Sequence, residues 1–476
     1  MSALPLTRAA GRIPLEGGGE LNAWPIAVGV CSTVALLTVV APRAALSLLI
    51  VVIVVALWIT WLAVAGVRRA LDTTLPVEGY DPLSIAPFAA TAAVAGLELF
   101  RHRLSVRPER VMVFALLGLA VGVPAGAHNP SALAFALFAY GAGVLSFAIG
   151  YAEGRRGGRT DTATRTLAPL LAPLAVYGIA QYLLPLTSWD ANWVRDSGLT
   201  SIAVPGDVNH VRVFSTLNSP ATFGAILAIG VVSVLARDRV KPGAVLVIGL
   251  ALVALALTYV RMAIPALVLG LLVYAAASRW RAAPRLAGFA AIAIAATLAL
   301  GATTQAGALV LKRVSTLGSL SADTSATERQ TTFWQVLPQA AVTPLGHGVG
   351  TAGEPSKLAD KESFGAAVDN GYLGLLYQLG PLGFGLVAIA LASAVGSLVR
   401  ARPPTPALRR RKELDLAIVA TLFVLAAATD VFYGVLGALL WFYLGHGMST
   451  ADLGASIVHG AGSHKTFYID RQAGHG

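Results

Sequence analysis

The chain has 476 residues, of which 56% are hydrophobic and only 12% charged, and its mean hydropathy is +0.71. An average soluble domain carries roughly a quarter charged residues, so about half the expected charge is missing and a water-soluble protein is excluded. The formal net charge of +11 sits in short clusters between apolar runs, which is the pattern of the positive-inside rule, and no nucleic-acid partner is expected. Cys31 is the only cysteine, which rules out an intramolecular disulfide and a zinc site built on several thiolates.

With roughly 17–25 apolar residues per helix as the template, the chain predicts spans near residues 23–41, 44–66, 85–100, 111–124, 132–150, 167–184, 219–236, 244–259, 262–278, 286–302, 371–399, 415–429 and 431–446. The expectation is an all-α polytopic membrane protein of about 12 or 13 transmembrane helices. The first run, Trp24 to Val40, is too long and lacks the small-residue cleavage pattern of a signal peptide, so it reads as a retained span. The last two runs meet at Asp430 as two helices or one broken one. Residues 1–22 form an N-terminal tail, 23–446 the membrane domain, and 447–476 a polar tail, expected to be mobile, whose His459, His464 and His475 lack metal-ligand spacing.

Orientation follows from Lys and Arg. Arg101, Arg103, Arg107 and Arg110 share one short loop, and Arg155, Arg156 and Arg159 another; Arg237, Arg239 and Lys241, then Arg279, Arg281 and Arg285, then Arg400, Arg402 and Arg409 to Lys412 fall on the same side by strict alternation. That side reads as cytoplasmic. Arg68 and Arg69 dissent, since alternation places them outside. Two long polar segments then lie outside, about 185–218 and 303–370, the second being the largest soluble piece. A connection of that length without an apolar span is more often functional than passive.

The first segment holds Trp189, Asp190, Trp193 and Arg195, then His210 and Arg212 to Pro220. Asn218 or Ser219 before Pro220 reads as an N-cap and first helical position, which puts Arg212 just outside the lipid, about two turns ahead on a helical count. Arg212 there either snorkels to lipid phosphates or binds a ligand. The second segment holds Lys312 and Arg313, and a capping-box spacing at Ser325 and Glu328 that opens an amphipathic helix. Arg329 stands in its first turn, where free N–H groups already attract anions; it either serves a ligand or partners Glu328 or Asp323. Arg261, between the runs ending at Tyr259 and starting at Met262, marks a tight outer turn or the bilayer's edge. The stretch Pro344 to Gly350 lacks the context of a P-loop or dinucleotide fingerprint and reads as a turn.

The order Arg212, Ser215, Thr216, Asn218 and Pro220, then Thr258 to Arg261, Arg329 with Trp334, Pro344 to Gly348, Asp369 to Leu373 and Gly380 to Gly383 resembles the O-antigen ligase and polysaccharide polymerase superfamily over roughly residues 175–400. The resemblance implies a bacterial inner-membrane glycosyltransferase with a C-type all-helical fold and one large periplasmic loop. It implies metal-independent, inverting transfer from a polyprenyl-diphosphate-linked glycan at the periplasmic face, with membrane lipids around it and no cofactor. The ligase branch has His-Asn where this chain has Asp369 and Asn370, and Tyr177 to Gln181 with Trp189, Asp190 and Trp193 is also similar to exopolysaccharide polymerases. Both features lean toward the polymerase branch, which brings a chain-length regulator as an implied partner.

A diphosphate leaving group needs fixed positive charge, and guanidinium groups give bidentate contacts to phosphate. Arg212, Arg261, Arg313 and Arg329 are the candidates. Trp189, Trp193, Tyr372 and Tyr377 are candidates for sugar stacking or interfacial anchoring, with His210 and Asn370 as further substrate contacts. Asp369 either deprotonates the acceptor hydroxyl or caps the next helix. A secondary transporter would place ionisable residues near mid-membrane in two repeated halves, and no repeat is visible. A sensor or scaffold would need a cytoplasmic output domain, and all the cytoplasmic loops are short.

Overall fold

The computed structural model describes residues 12–14, 20–22, 43–70, 82–101, 106–156, 162–197, 202–204, 207–237, 242–284, 286–288, 324–358 and 370–460. The expected spans 23–41 and, but for a few residues at its start, 286–302 lie outside them, as do Arg313 and Asp369. The other expected spans appear as α1 (Arg43–Ala70), α2 (Pro82–Arg101), α3 (Val106–Val121) with the short α4 (Val123–Gly126), α5 (Pro130–Arg155) and α6 (Thr162–Leu183). They continue as α8 (Pro220–Leu235), α9 (Pro242–Leu257), α10 (Ala263–Ala277), α12 (Gly371–Arg400), α13 (Pro406–Leu425) and α14 (Gly434–Gly460). Outside the spans lie α7 (Ser188–Ser197), α11 (Thr324–Val342) and two antiparallel ribbons, β1 (Arg12–Pro14) with β2 (Glu20–Asn22) and β3 (Ala203–Val204) with β4 (Asp207–Val211). The fold is that of an all-α polytopic membrane protein. Among the described residues α1 from Val51, α5, α6 and α12 are each long and apolar enough to cross a membrane, and the shorter apolar helices pack among them.

The basic clusters meet at one end of the bundle, which we call the basic end. Arg156 pairs with Glu98 and, at 3.1 Å, with Glu153, joining α2 to α5. Arg281 reaches Glu413 at 2.7 Å, Arg411 donates to the Gly154 carbonyl at 2.6 Å, and the Tyr274 hydroxyl donates to Ala236 O at 3.3 Å. Five loops that the sequence places on one side are thus joined by contact. Arg69, one of the two dissenters, lies at the opposite end, wholly buried in an ion pair with Asp190 at 2.7 Å. It is no loop charge that the membrane potential and lipid surface sort, which leaves half-buried Arg68 beside it as the one dissenter from the alternation.

The structure decides one open alternative and corrects one expectation. The break at Asp430 separates two helices, because α13 ends at Leu425 and Asp430 turns the chain by accepting from the Phe432 amide at 3.1 Å. The polar tail expected from residue 447 instead continues α14 to Gly460. Its polar residues have partners inside the protein: Ser449 donates to His446 O at 2.7 Å, and Tyr151 donates to Asp452 at 2.7 Å. Gly150 of α5 and Gly445 of α14 lie against the facing backbone at Phe442 and Phe147, so any side chain there would separate the two helices.

In a Cys31→Ala background, a cysteine replacing exposed Gln339 on α11 should react with a membrane-impermeant maleimide added outside cells. One replacing exposed Thr405 at the basic end should react only after permeabilisation, and the reverse pattern would invert the assignment.

Candidate functional site

The end opposite the basic loops is built on two turns that touch. Residues 212–218 do not continue the helix backwards, as the sequence count had them. They leave β4 as an extended strand end, with Arg212 N donating to Ile202 O at 2.8 Å, and then turn sharply before Ser219 caps α8 by accepting from Thr222 N. The second turn, residues 258–262, joins α9 to α10. Val213 N donates to Leu257 O at 3.2 Å and Arg212 Nε to Thr258 O at 3.0 Å, so Arg212 is fastened three residues from Arg261. Ser215, Asn218 and Tyr259 take φ of 50°, 52° and 55°, conformations that non-glycine residues hold only when their surroundings dictate them. Both arginines are partly buried, and His210 lies on β4 two residues before Arg212.

The start of α12 comes to the same end. Gly371 N donates to Ala426 O at 2.8 Å and Tyr372 Oη to Phe423 O at 2.8 Å, which fastens α12 to the end of α13. Helix α10 runs against α13 with Gly270 on Thr421 and Ala417. Seven residues back, about 10 Å along the axis, α10 begins at Ala263, beside the end of antiparallel α13. The Arg261 turn, the Asp430 turn and the residue following Asp369 therefore share one end. Asn370 caps α12, its side chain accepting from Tyr372 N at 3.0 Å and Leu373 N at 3.1 Å. Of the two readings of Asp369, the cap is thus filled by its neighbour.

A break in α12 brings in the glycine-rich turn. Pro381 has no N–H for the Tyr377 carbonyl, and Gly380 leaves helical geometry with φ 63°. His347 N donates to Tyr377 O at 2.9 Å and Gly348 N to Gln378 O at 3.0 Å, while Leu382 N turns to Pro344 O at 3.3 Å. The turn after α11 thus replaces the helix bonds that the proline removes. It ties to the break the helix that carries Arg329 near its start. Val336, Ala340, Leu373 and Tyr377 pack the two helices together.

The aromatic candidates separate. Trp189 is exposed, its indole donating to Tyr177 Oη at 3.3 Å. Trp193 is corrected as a sugar-stacking residue: it is buried, and its ring lies against Phe214 at 5.0 Å and the Arg69 guanidinium at 5.4 Å. Tyr377 is buried with one face on the His347 ring at 4.1 Å. Tyr372 packs edge-on to Phe432. One carboxylate the sequence reading passed over is Asp430, which accepts from Tyr140 Oη at 3.0 Å; Gln378 in turn donates to that oxygen at 2.9 Å. Burial pushes the Asp430 carboxyl up to about 7. The signal was an acidic residue between two apolar runs. No group of three His, Cys, Asp or Glu side chains among the described residues is placed to hold a metal ion.

Residues 244–388 match the family model described as O-antigen ligase. The matched stretch contains Arg261, Arg329, the 344–350 turn, Asp369 and the α12 break. The match supports the O-antigen ligase and polymerase superfamily. No curated protein matches the chain.

Replacing Arg212 or Arg261 by Lys keeps the charge and loses the planar fork. Glycan transfer should fall at least about 10-fold in each variant, the loss expected when a bidentate phosphate contact becomes a point charge. Steady-state rates beside a thermal-unfolding control check this. Near wild-type rates in both would place phosphate recognition elsewhere.

Proposed function

We propose that the protein is a polysaccharide polymerase that joins polyprenyl-diphosphate-linked oligosaccharide units at the periplasmic face of a bacterial inner membrane. Transfer is inverting and metal-independent. The observation that carries this reading is the fastening of Arg212 and Arg261 to one backbone turn, at the end remote from the basic loops and shared with the start of α12. Two guanidinium groups held there meet the charge that develops on a departing diphosphate. Arg329 and Arg313 add positive charge from the segment before α12, and exposed Trp189, with Tyr372, His210 and Asn370, borders the sugar units.

In a single displacement the acceptor hydroxyl oxygen attacks the anomeric carbon, the bond to the diphosphate breaks with its electron pair, and a base takes the hydroxyl proton. Asp369 is the base in this scheme. It directly precedes the cap of α12, and because Asn370 supplies that cap, the Asp369 carboxylate is not needed for it. The second reading is a ligase that moves the finished glycan to a lipid or protein acceptor, favoured by the description of the matched family.

Purified protein in detergent, supplied with a lipid-linked oligosaccharide and no ion gradient, should yield a ladder of multiples still on the carrier. Transfer only to an added acceptor would establish the ligase instead, and no transfer at all would overturn both. Asp369→Asn should slow the reaction about 100-fold, the scale of a lost general base, at unchanged thermal stability. Activity within a few-fold of wild type would move the base to His210 or Asp430.

A further inference from the structure

Arg69 and Asp190 take no part in the transfer scheme, yet they form an ion pair with both side chains 0% exposed. Apolar pairs of similar volume are often as stable as a buried ion pair or more so, so packing alone does not account for the charges. What the pair holds is the Arg212 turn. Arg69 Nε donates to Asp190 Oδ1, one terminal nitrogen to the Asn218 side chain and the other to the Ser215 carbonyl. The faces of the guanidinium lie against Phe214 at 4.9 Å and Trp193 at 5.4 Å. Asp190 Oδ2 accepts from Tyr177 at 2.7 Å and Gln181 at 2.8 Å, and Gln181 Oε1 accepts from Phe214 N at 3.3 Å and Ser215 N at 2.7 Å. The strained residues of the turn, Ser215 and Asn218, and the buried backbone N–H of Phe214 are thus tied to this one network.

We propose that the Arg69–Asp190 pair, linked through Gln181, is the positioning device of the donor site: it fixes the backbone from Phe214 to Asn218 and so sets where Arg212 meets the diphosphate. The inference rests on the reading of Arg212 as a phosphate ligand. Neither residue touches substrate, and both act through the turn.

The test is the double variant Arg69→Met with Asp190→Leu, which leaves no lone buried charge and keeps the packing volume. Its melting temperature should stay within a few degrees of wild type, while the donor KM rises about 10-fold or more, as for a displaced binding group. In an Arg212→Ala background the same double change should add less than about 2-fold, because one path carries both effects. Losses that multiply, or a wild-type KM, would overturn the proposal.

Amide hydrogen exchange at Phe214 and Ser215 reads the same device without any reaction. It should speed up in the double variant while α8 and α9 keep their protection, and unchanged exchange there overturns the positioning role even if wild-type protein transfers no glycan, an outcome that would separately remove the functional reading. If the double variant does not fold, Gln181→Met, which leaves the ion pair intact, should show the same faster exchange and raised KM, and wild-type values in it would overturn the proposal.

Discussion

A guanidinium at the end of a membrane helix that is closed off from water must find all its acceptors inside the protein. Arg69 finds them in Asp190, Ser215 and Asn218, residues at least 121 positions away in sequence. Satisfying that one group joins α1, α6, α7 and the entrance of α8, and leaves the Arg212 turn little freedom. Removing one member of such a pair typically costs about 3–5 kcal/mol, because the other charge stays buried. The outer architecture on this side of the bundle follows from that constraint.

The same accounting governs the other side. Pro381 deprives the Tyr377 carbonyl of its helical donor, and the break at Gly380 turns Leu382 N away from the Gln378 carbonyl; in a membrane-embedded helix both must be supplied from elsewhere. The turn after α11 supplies them with His347 and Gly348, and this close approach requires Gly346 and Gly380, where a β-carbon would strike facing backbone. A broken helix and a glycine-rich turn are therefore two halves of one device. It attaches α11, an otherwise peripheral helix, to the membrane domain.

Between these two attachments lie the Arg212 and Arg261 turns and the start of α12. Backbone strain at Ser215, Asn218 and Tyr259 marks positions held against local preference, so the cations sit where tertiary contacts put them. In the transfer proposed above, fixed charge of this kind would lose little in reorganisation as the leaving group departs. At the basic end the arginines do different work, since Arg156, Arg281 and Arg411 are engaged in ion pairs and carbonyl contacts that knit helix ends together.

The helices themselves were legible in the sequence, because hydropathy over a span's length is a local property and each apolar run outside the undescribed segments became a helix near its expected place. Ser219 as a cap and the 344–350 stretch as a turn were equally local, set by side-chain oxygens and glycines beside prolines. Composition alone excluded a soluble protein, and the order of motifs from Arg212 to Gly383 pointed to the glycan-transfer superfamily. The sequence was silent where two distant groups had to satisfy each other. It left Asp369 as either a base or the cap of α12, and only the backbone entering that helix showed the cap to be Asn370. It counted Arg69 among the loop charges, left Trp193 between sugar stacking and interfacial anchoring, and ended the last helix at residue 446. For Arg69, and for Asp452 on α14, the deciding energy was the desolvation of a polar group relieved by a partner far along the chain, which no window of sequence contains and only the folded structure supplies.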